Sequence, residues 1–219
     1  MGAKFEILFD VLYLISVVTI GIYIFVKSTK KEHRLFGIMA IILGLGDSFH
    51  LVPRILAIWN NDFSQFTYYL GFGEMVTSIT MTIFYIILYN VFKIRYKKEN
   101  YKKLDLTLYL LAAIRIVLSI LPQNRWTYAT KPYSWSLFRN IPFLIMGIII
   151  IVLFIKETKN NKSDIYSNMP LAISLSFLFY IAVVLFAPFY PIVGALMLPK
   201  TLAYVWIVLL GLKDCKKTL

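Results

Sequence analysis

The sequence carries the stretch Gly44-Leu45-Gly46-Asp47-Ser48-Phe49-His50-Leu51-Val52-Pro53-Arg54 inside an apolar segment long enough to span a bilayer. Asp47, His50 and Arg54 stand at positions i, i+3 and i+7, so a helix places all three on one face. Ionisable side chains at membrane depth are unfavourable and usually face a protein interior, a cavity or a partner. The stretch therefore predicts a membrane protein with a polar centre.

Composition supports a membrane protein. The chain has 219 residues, of which 59% are hydrophobic, and its mean hydropathy is +0.73. Soluble domains are less apolar, and repeated apolar runs of about 20 residues indicate transmembrane helices. The net charge of +12 comes from basic residues that lie between the apolar runs, which fits the positive-inside rule better than nucleic-acid binding. We therefore expect the lipid bilayer as a partner and no nucleic acid.

The apolar runs predict a single seven-helix transmembrane domain over residues 1–219. The fold class is an all-α membrane bundle, and the fourth helix is the shortest of the seven. The expected helices are Phe5–Val26, Leu35–Trp59, Phe66–Phe92, Leu104–Leu121, Ser136–Ile155, Met169–Ala187 and Ile192–Leu212.

The connections between these helices alternate in charge. Lys27–Arg34, Lys93–Lys103, Lys156–Asn168 and the tail after Leu212 together hold 16 of the 23 Lys and Arg residues. Basic connections stay in the cytoplasm, so we predict the N-terminus outside and the C-terminus inside.

The remaining charges concentrate in the outer half of the predicted bundle. Counting about 1.5 Å per residue from the cytoplasmic ends puts Asp47, Arg115 and Lys200 about 18–20 Å above the inner boundary of a core about 30 Å thick. The inner half holds almost no charge, which predicts a polar vestibule that opens outwards above an apolar plug. The predicted ligand-binding residues are Asp47, His50, Arg54, Glu74, Arg115, Arg139 and Lys200.

Lys200 follows Pro199 in the seventh predicted helix. A proline inside a helix bends the axis and frees a backbone carbonyl, here that of Ala195. The depth of Lys200 and this expected kink make Lys200 the predicted anchor for an anion. Separately, the sequence places His33 in a basic loop. A structural ion pair of Asp47 with Arg115 or Lys200 remains open.

Two segments, Leu43–Ile55 and Val76-Thr77-Ser78-Ile79-Thr80-Met81-Thr82-Ile83-Phe84-Tyr85, resemble a family of uncharacterised bacterial multi-pass membrane proteins. The resemblance covers the second and third predicted helices. It implies a bacterial source and a multi-pass fold, so the expected location is the bacterial cytoplasmic (plasma) membrane. It implies no activity.

The sequence leaves three functions open. The first is a transporter or receptor that binds a small anionic molecule or a lipid headgroup, because the basic groups outnumber the acidic ones. The second is an intramembrane enzyme acting on a lipid as a hydrolase or transferase, with Asp47, His50 and Glu74 as catalytic groups. The third is a scaffold subunit with purely structural ion pairs. We expect no cofactor and no metal, since zinc held by the same three residues would have an unusual ligand set. The oligomeric state stays open.

Overall fold

The structure is a computed structural model that describes residues 2–161 and 163–218, and within them it contains seven α-helices and no strand. Three short 3₁₀ helices, Pro122–Asn124, Ile165–Asn168 and Pro191–Leu196, lie in the connections. The seven α-helices are α1 Ala3–Lys27, α2 Lys31–Trp59, α3 Thr67–Arg95, α4 Lys102–Ile120, α5 Tyr133–Thr158, α6 Met169–Phe186 and α7 Met197–Thr218.

Six of these helices are long and apolar enough to cross a membrane, so the chain is an all-helical bundle of membrane-protein character. The exception in the described residues is α4, which carries Lys102, Lys103, Asp105 and Arg115 within 19 residues. A seventh span therefore stays a prediction, and so does the orientation of the bundle.

The bundle has two ends, which we name by the terminus that each one holds. The N-terminal end also carries the α2–α3, α4–α5 and α6–α7 connections, and the C-terminal end carries the other three connections. The predicted basic loop at His33 is wrong, because α2 begins at Lys31 and His33 is fully buried within it.

Glycines allow α2 to approach both of its neighbours closely. A Cβ atom at Gly37 would lie 2.7 Å from the carbonyl oxygen of Gly21 in α1. A Cβ atom at Gly73 in α3 would overlap the backbone of Phe49 and His50 in α2. Small residues permit this kind of close helix packing in membrane proteins. The three helices form one layer, in which α1 and α2 also contact α7 and α3 contacts α4 and α5.

An aromatic cluster fills the middle of the bundle between α3, α5, α6 and α7. The Tyr85 ring centroid lies 5.2 Å from both the Phe143 and the Phe177 centroids, and Phe84 lies 5.8 Å from Tyr204. The hydroxyl oxygen of Tyr85 lies 3.1 Å from Oγ of Ser176, so its polar group has a partner. Tilted and edge-on ring pairs of this kind pack favourably. Its rings are buried in the core of the bundle.

Candidate functional site

A cavity of about 370 Å³ lies on the N-terminal side of the aromatic cluster. Its walls come from α3, α4, α5, α6 and α7, from the connections between α4 and α5 and between α6 and α7, and from one residue of α2. Phe143 and Tyr204 belong to both the cavity lining and the aromatic cluster. The ionisable side chains with nitrogen or carboxylate groups that line it are His50, Glu74, Arg115, Lys131, Arg139 and Lys200.

Arg115 is the most unusual of these residues. Its side chain is 1% exposed, and neither Nε nor Nη1 has a hydrogen-bond partner in the part of the chain that the structure describes. The guanidinium carbon lies 3.2 Å from the centroid of the Phe143 ring, so one face of the group is covered by an aromatic ring. A cation–π contact offsets only part of the free energy of desolvating a charge. Arg115 therefore presents buried, unused donors beside the cavity.

Lys200 lies in the first turn of α7 and also lines the cavity. Its Nζ atom is 5.0 Å from the Tyr180 centroid and 5.4 Å from the Tyr204 centroid. No carboxylate among residues 2–161 and 163–218 comes within ion-pair distance of it. The predicted mid-helix kink at Pro199 is wrong, because the preceding residues form a 3₁₀ turn and Pro199 falls in the first turn of α7, which tolerates proline.

Arg139 is held in place by neighbouring groups. Its Nη1 donates to Oδ1 of Asn124 at 3.1 Å and its Nη2 to Oγ of Ser136 at 3.3 Å. The guanidinium carbon lies 4.2 Å from the Trp126 ring centroid. Both hydrogen-bond partners are neutral, so the positive charge of Arg139 is oriented without being neutralised.

The connection between α4 and α5 covers one side of the cavity. Nζ of Lys131 donates to Oε2 of Glu74 at 2.6 Å, which ties this connection to α3. Nε1 of Trp126 donates to the carbonyl of Ser119 at 2.7 Å, and the Trp126 carbonyl occupies the space where a Cβ atom of Gly71 would lie. Sequence reasoning left Lys131 out of the site, since its position in a connection gave no sign of its contact with Glu74.

Two predicted site residues point elsewhere. Oδ2 of Asp47 accepts a hydrogen bond of 2.6 Å from the Tyr13 hydroxyl, and Nε of Arg54 donates to Oε1 of Glu6 at 2.6 Å. Neither Asp47 nor Arg54 lines the cavity. Asp47 and Arg54 are seven positions apart, which is nearly two helical turns, so both face α1. His50 is three positions after Asp47, so its side chain is rotated by about 60° from theirs, towards α3. Nδ1 of His50 lies 3.2 Å from the carbonyl oxygen of Leu70 in α3.

A second polar cluster, which sequence reasoning missed, lies at the C-terminal end of the bundle. Nε2 of His33 lies 2.8 Å from Oδ2 of Asp214, and Oγ of Ser28 lies 3.1 Å from Nδ1 of the same ring. Arg95 donates to Asp214 at 2.7 Å and to Asp164 at 2.7 Å. The cluster therefore joins α2, α3, α7 and the connection before α6.

The same cluster has one feature of a metal site. Ligand atoms of Glu32, His33 and Asp214 all lie within 4.8 Å of one another. The Arg95 guanidinium already binds Asp214 through two nitrogens, however, and a cation in this position competes with a metal ion for the carboxylate. Burial opposes ionisation of Asp164, and hydrogen bonds from Arg95, the Tyr166 amide and Tyr96 outweigh it, so the pKa of that carboxyl lies below its ordinary value. The cluster is best described as a network of ion pairs.

Comparison with known proteins adds no assignment: no protein-family model, curated protein or solved structure matches the chain. The geometry of the cavity is therefore the basis for the proposed function.

Proposed function

We propose that this chain is a polytopic membrane protein that binds a small anionic molecule or a lipid headgroup in the cavity, as a transporter or receptor. The observation that supports it most directly is the buried guanidinium of Arg115, whose Nε and Nη1 have no hydrogen-bond partner in the described residues. A buried charge without a counter-charge is strongly unfavourable, and more so in a membrane. An anionic ligand would supply the missing counter-charge.

The balance of charge around the cavity favours an anion for a second reason. Lys131 is paired with Glu74, so these two residues neutralise each other. Arg115, Arg139 and Lys200 then remain, and no carboxylate in the described part of the chain forms an ion pair with any of them. Guanidinium groups bind carboxylate and phosphate through two hydrogen bonds, whereas lysine acts as a point charge.

The outer surface of the bundle supports the membrane assignment. On α1, Phe5, Leu8, Leu12 and Ile15 follow one face and are each 55–61% exposed. On α4, Leu106, Leu110, Val117 and Ile120 are exposed in the same way, which favours α4 as a seventh span despite its charges. Rows of exposed apolar side chains on several helices are typical of contact with lipid. We propose that the N-terminus is external and that the membrane is the bacterial cytoplasmic membrane.

The test is thermal unfolding of the purified protein against a panel of carboxylates, phosphates and anionic lipids. A ligand that binds only the folded state at 100 times its Kd stabilises that state by about 2.7 kcal/mol. We expect at least one anion to raise the melting temperature of the wild type, and Lys200→Ala to reduce that shift several-fold while leaving ligand-free unfolding nearly unchanged.

Lys216→Ala is the matched control, because Lys216 is an exposed lysine near the other end of the same helix. If the ligand raises the melting temperature of Lys200→Ala and Lys216→Ala equally, Lys200 is not part of the binding site. If no anion in the panel shifts the melting temperature of the wild type, the proposed function is wrong.

The enzyme and scaffold alternatives have less support. Catalysis would need Asp47, His50 and Glu74 to act on one substrate, yet each is held by a different partner: Tyr13, the Leu70 carbonyl and Lys131. A scaffold with purely structural ion pairs would leave no charge unpaired, which does not fit Arg115.

A further inference from the structure

The residues that line the cavity fall into two chemical groups, a charged group and an apolar group, which we call its polar side and its apolar side. Arg115, Arg139 and Lys200 supply the positive charge on the polar side. The apolar side comes from α3, α6, the connection between α6 and α7, and α7, and consists of Met81, Val183, Val184, Ala187, Pro188 and Met197. A small inorganic anion could use only the polar side.

We infer that the ligand is an amphiphilic oxyanion, a carboxylate or phosphate monoester that carries an apolar hydrocarbon body, and that Arg115 is its principal anchor. This inference rests on the proposed anion-binding function and narrows it to one class of ligand. The oxyanion binds between Arg115 and Lys200, and the hydrocarbon body lies along Val183, Val184 and Met197.

The size of the cavity supports this class of ligand. Its volume of about 370 Å³ lies within the range of about 300–1,000 Å³ that is typical of sites for organic molecules. A lone phosphate or sulfate would leave the apolar wall in contact with water, which is unfavourable in proportion to the apolar area. A hydrocarbon body that covers this wall adds free energy of binding without adding charge.

The degree of burial distinguishes Arg115 from Lys200. Arg115 is fully buried, and its Nε and Nη1 have no hydrogen-bond partner in the described residues, so the ligand-free protein cannot hydrate this group well. Lys200 is partly exposed and lies against the Tyr180 and Tyr204 rings. The group with the larger unmet demand for hydrogen bonds gains more from the oxyanion. Arg115 therefore contributes more to affinity, and Lys200 adds a second positive charge.

The experiment measures binding to the purified protein in a non-ionic maltoside by calorimetry and by thermal unfolding. The probes are sodium octanoate, sodium acetate, octyl phosphate, inorganic phosphate, octanol and octylamine, each below its micellar concentration. We expect octanoate or octyl phosphate to bind at least tenfold more tightly than acetate or inorganic phosphate. Octanol and octylamine should not stabilise the protein. Whichever of octanoate and octyl phosphate binds more tightly identifies the headgroup.

Two variants locate the site. Arg115→Met should lower the affinity for the better octyl anion at least tenfold, whereas Arg54→Met should leave it unchanged, because Arg54 lies outside the cavity on α2 and pairs with Glu6. If Arg115→Met does not fold, Met197→Gln tests the apolar side. It should lower affinity for the octyl anion and leave affinity for its short counterpart unchanged.

The outcomes separate the inference from the function on which it rests. If acetate or inorganic phosphate binds as tightly as its octyl counterpart, or if Met197→Gln leaves the ratio unchanged, the amphiphilic class is wrong and anion binding stands. If Arg115→Met folds and keeps full affinity, Arg115 is not the anchor. If octanol or octylamine binds and no anion does, the proposed function itself is wrong.

Discussion

Arg115 is the residue on which the proposed anion binding depends most. Among the described residues it is the largest fully buried side chain, and it lies in a helix whose other face carries exposed apolar residues. A membrane protein can retain such a residue when its charge is met by a partner, by water or by a ligand. Two of its nitrogens have no protein partner in the described residues, and the proposed anionic ligand would supply the missing partner.

Asp214 is buried like Arg115, but its carboxylate oxygens have hydrogen-bond partners within the protein. It accepts hydrogen bonds from His33 and Arg95 and is 4% exposed. We predict that Asp214→Asn lowers the free energy of unfolding by about 3 kcal/mol, since removing one member of a buried ion pair leaves the other charge uncompensated. Denaturant or thermal unfolding in detergent measures this change.

Glu157→Gln is the control for this variant. Glu157 pairs with Lys98 at 2.7 Å at the same end of the bundle, but both side chains are about a quarter exposed. Exposed ion pairs add little to stability, so this substitution should leave unfolding unchanged. Equal effects of Asp214→Asn and Glu157→Gln would show that the cluster around Asp214 is not a special determinant of stability.

The close packing of α2 against α3 determines which side chains of α2 reach the cavity. Gly73 lies against the backbone of Phe49 and His50, where a Cβ atom would overlap both. We predict that Gly73→Ala lowers the free energy of unfolding by about 1–3 kcal/mol, as overpacking usually does. It should also weaken ligand binding, because α2 carries His50 at the cavity wall. Thermal unfolding with and without ligand measures both effects.

Gly194→Ala is the matched substitution, because a Cβ atom at Gly194 would meet no atom within 4 Å. Gly194 lies in the 3₁₀ helix that precedes α7 and does not line the cavity. If Gly73→Ala is as stable as Gly194→Ala, α2 and α3 do not pack as closely as the structure indicates.

Hydropathy was sufficient to predict the helices but not the direction in which each side chain points. Each predicted apolar run overlaps one α-helix, and the largest shift is at α7, where a 3₁₀ turn occupies the first residues of the predicted helix. Depth along a helix follows from residue counts: of the three residues predicted at one height, Arg115 and Lys200 line the cavity and Asp47 does not. Rotation about the helix axis depends on the neighbouring helices, and Asp47 and Arg54 turn towards α1 for that reason.

The C-terminal cluster could not be predicted from sequence, since its members are far apart in the chain. His33 and Asp214 are separated by 181 positions, and both are embedded among basic residues that suggest a solvated loop. A helix start at Lys31 would have been the one available signal. Ligand binding by the cavity residues stays a prediction, because no known protein matches the chain.

The distribution of charge over the whole molecule predicts its orientation. The C-terminal end of the bundle holds most of the lysine and arginine residues, and such ends stay in the cytoplasm. We predict that a single cysteine at Lys98 is protected from a membrane-impermeant maleimide in intact cells, and that a cysteine at Asn61 is labelled. Both positions lie in connections, at opposite ends of the bundle.

The background for this labelling is Cys215→Ala, because Cys215 is the one cysteine of the chain and its side chain is buried. Permeabilised cells provide the control, since both engineered cysteines should be labelled once the reagent reaches both sides. If the cysteine at Lys98 is labelled in intact cells and the cysteine at Asn61 is protected, the true orientation is the reverse of the predicted one. The cavity lies on the N-terminal side of the aromatic cluster, so an inverted molecule would take its anion from the cytoplasm and not from outside.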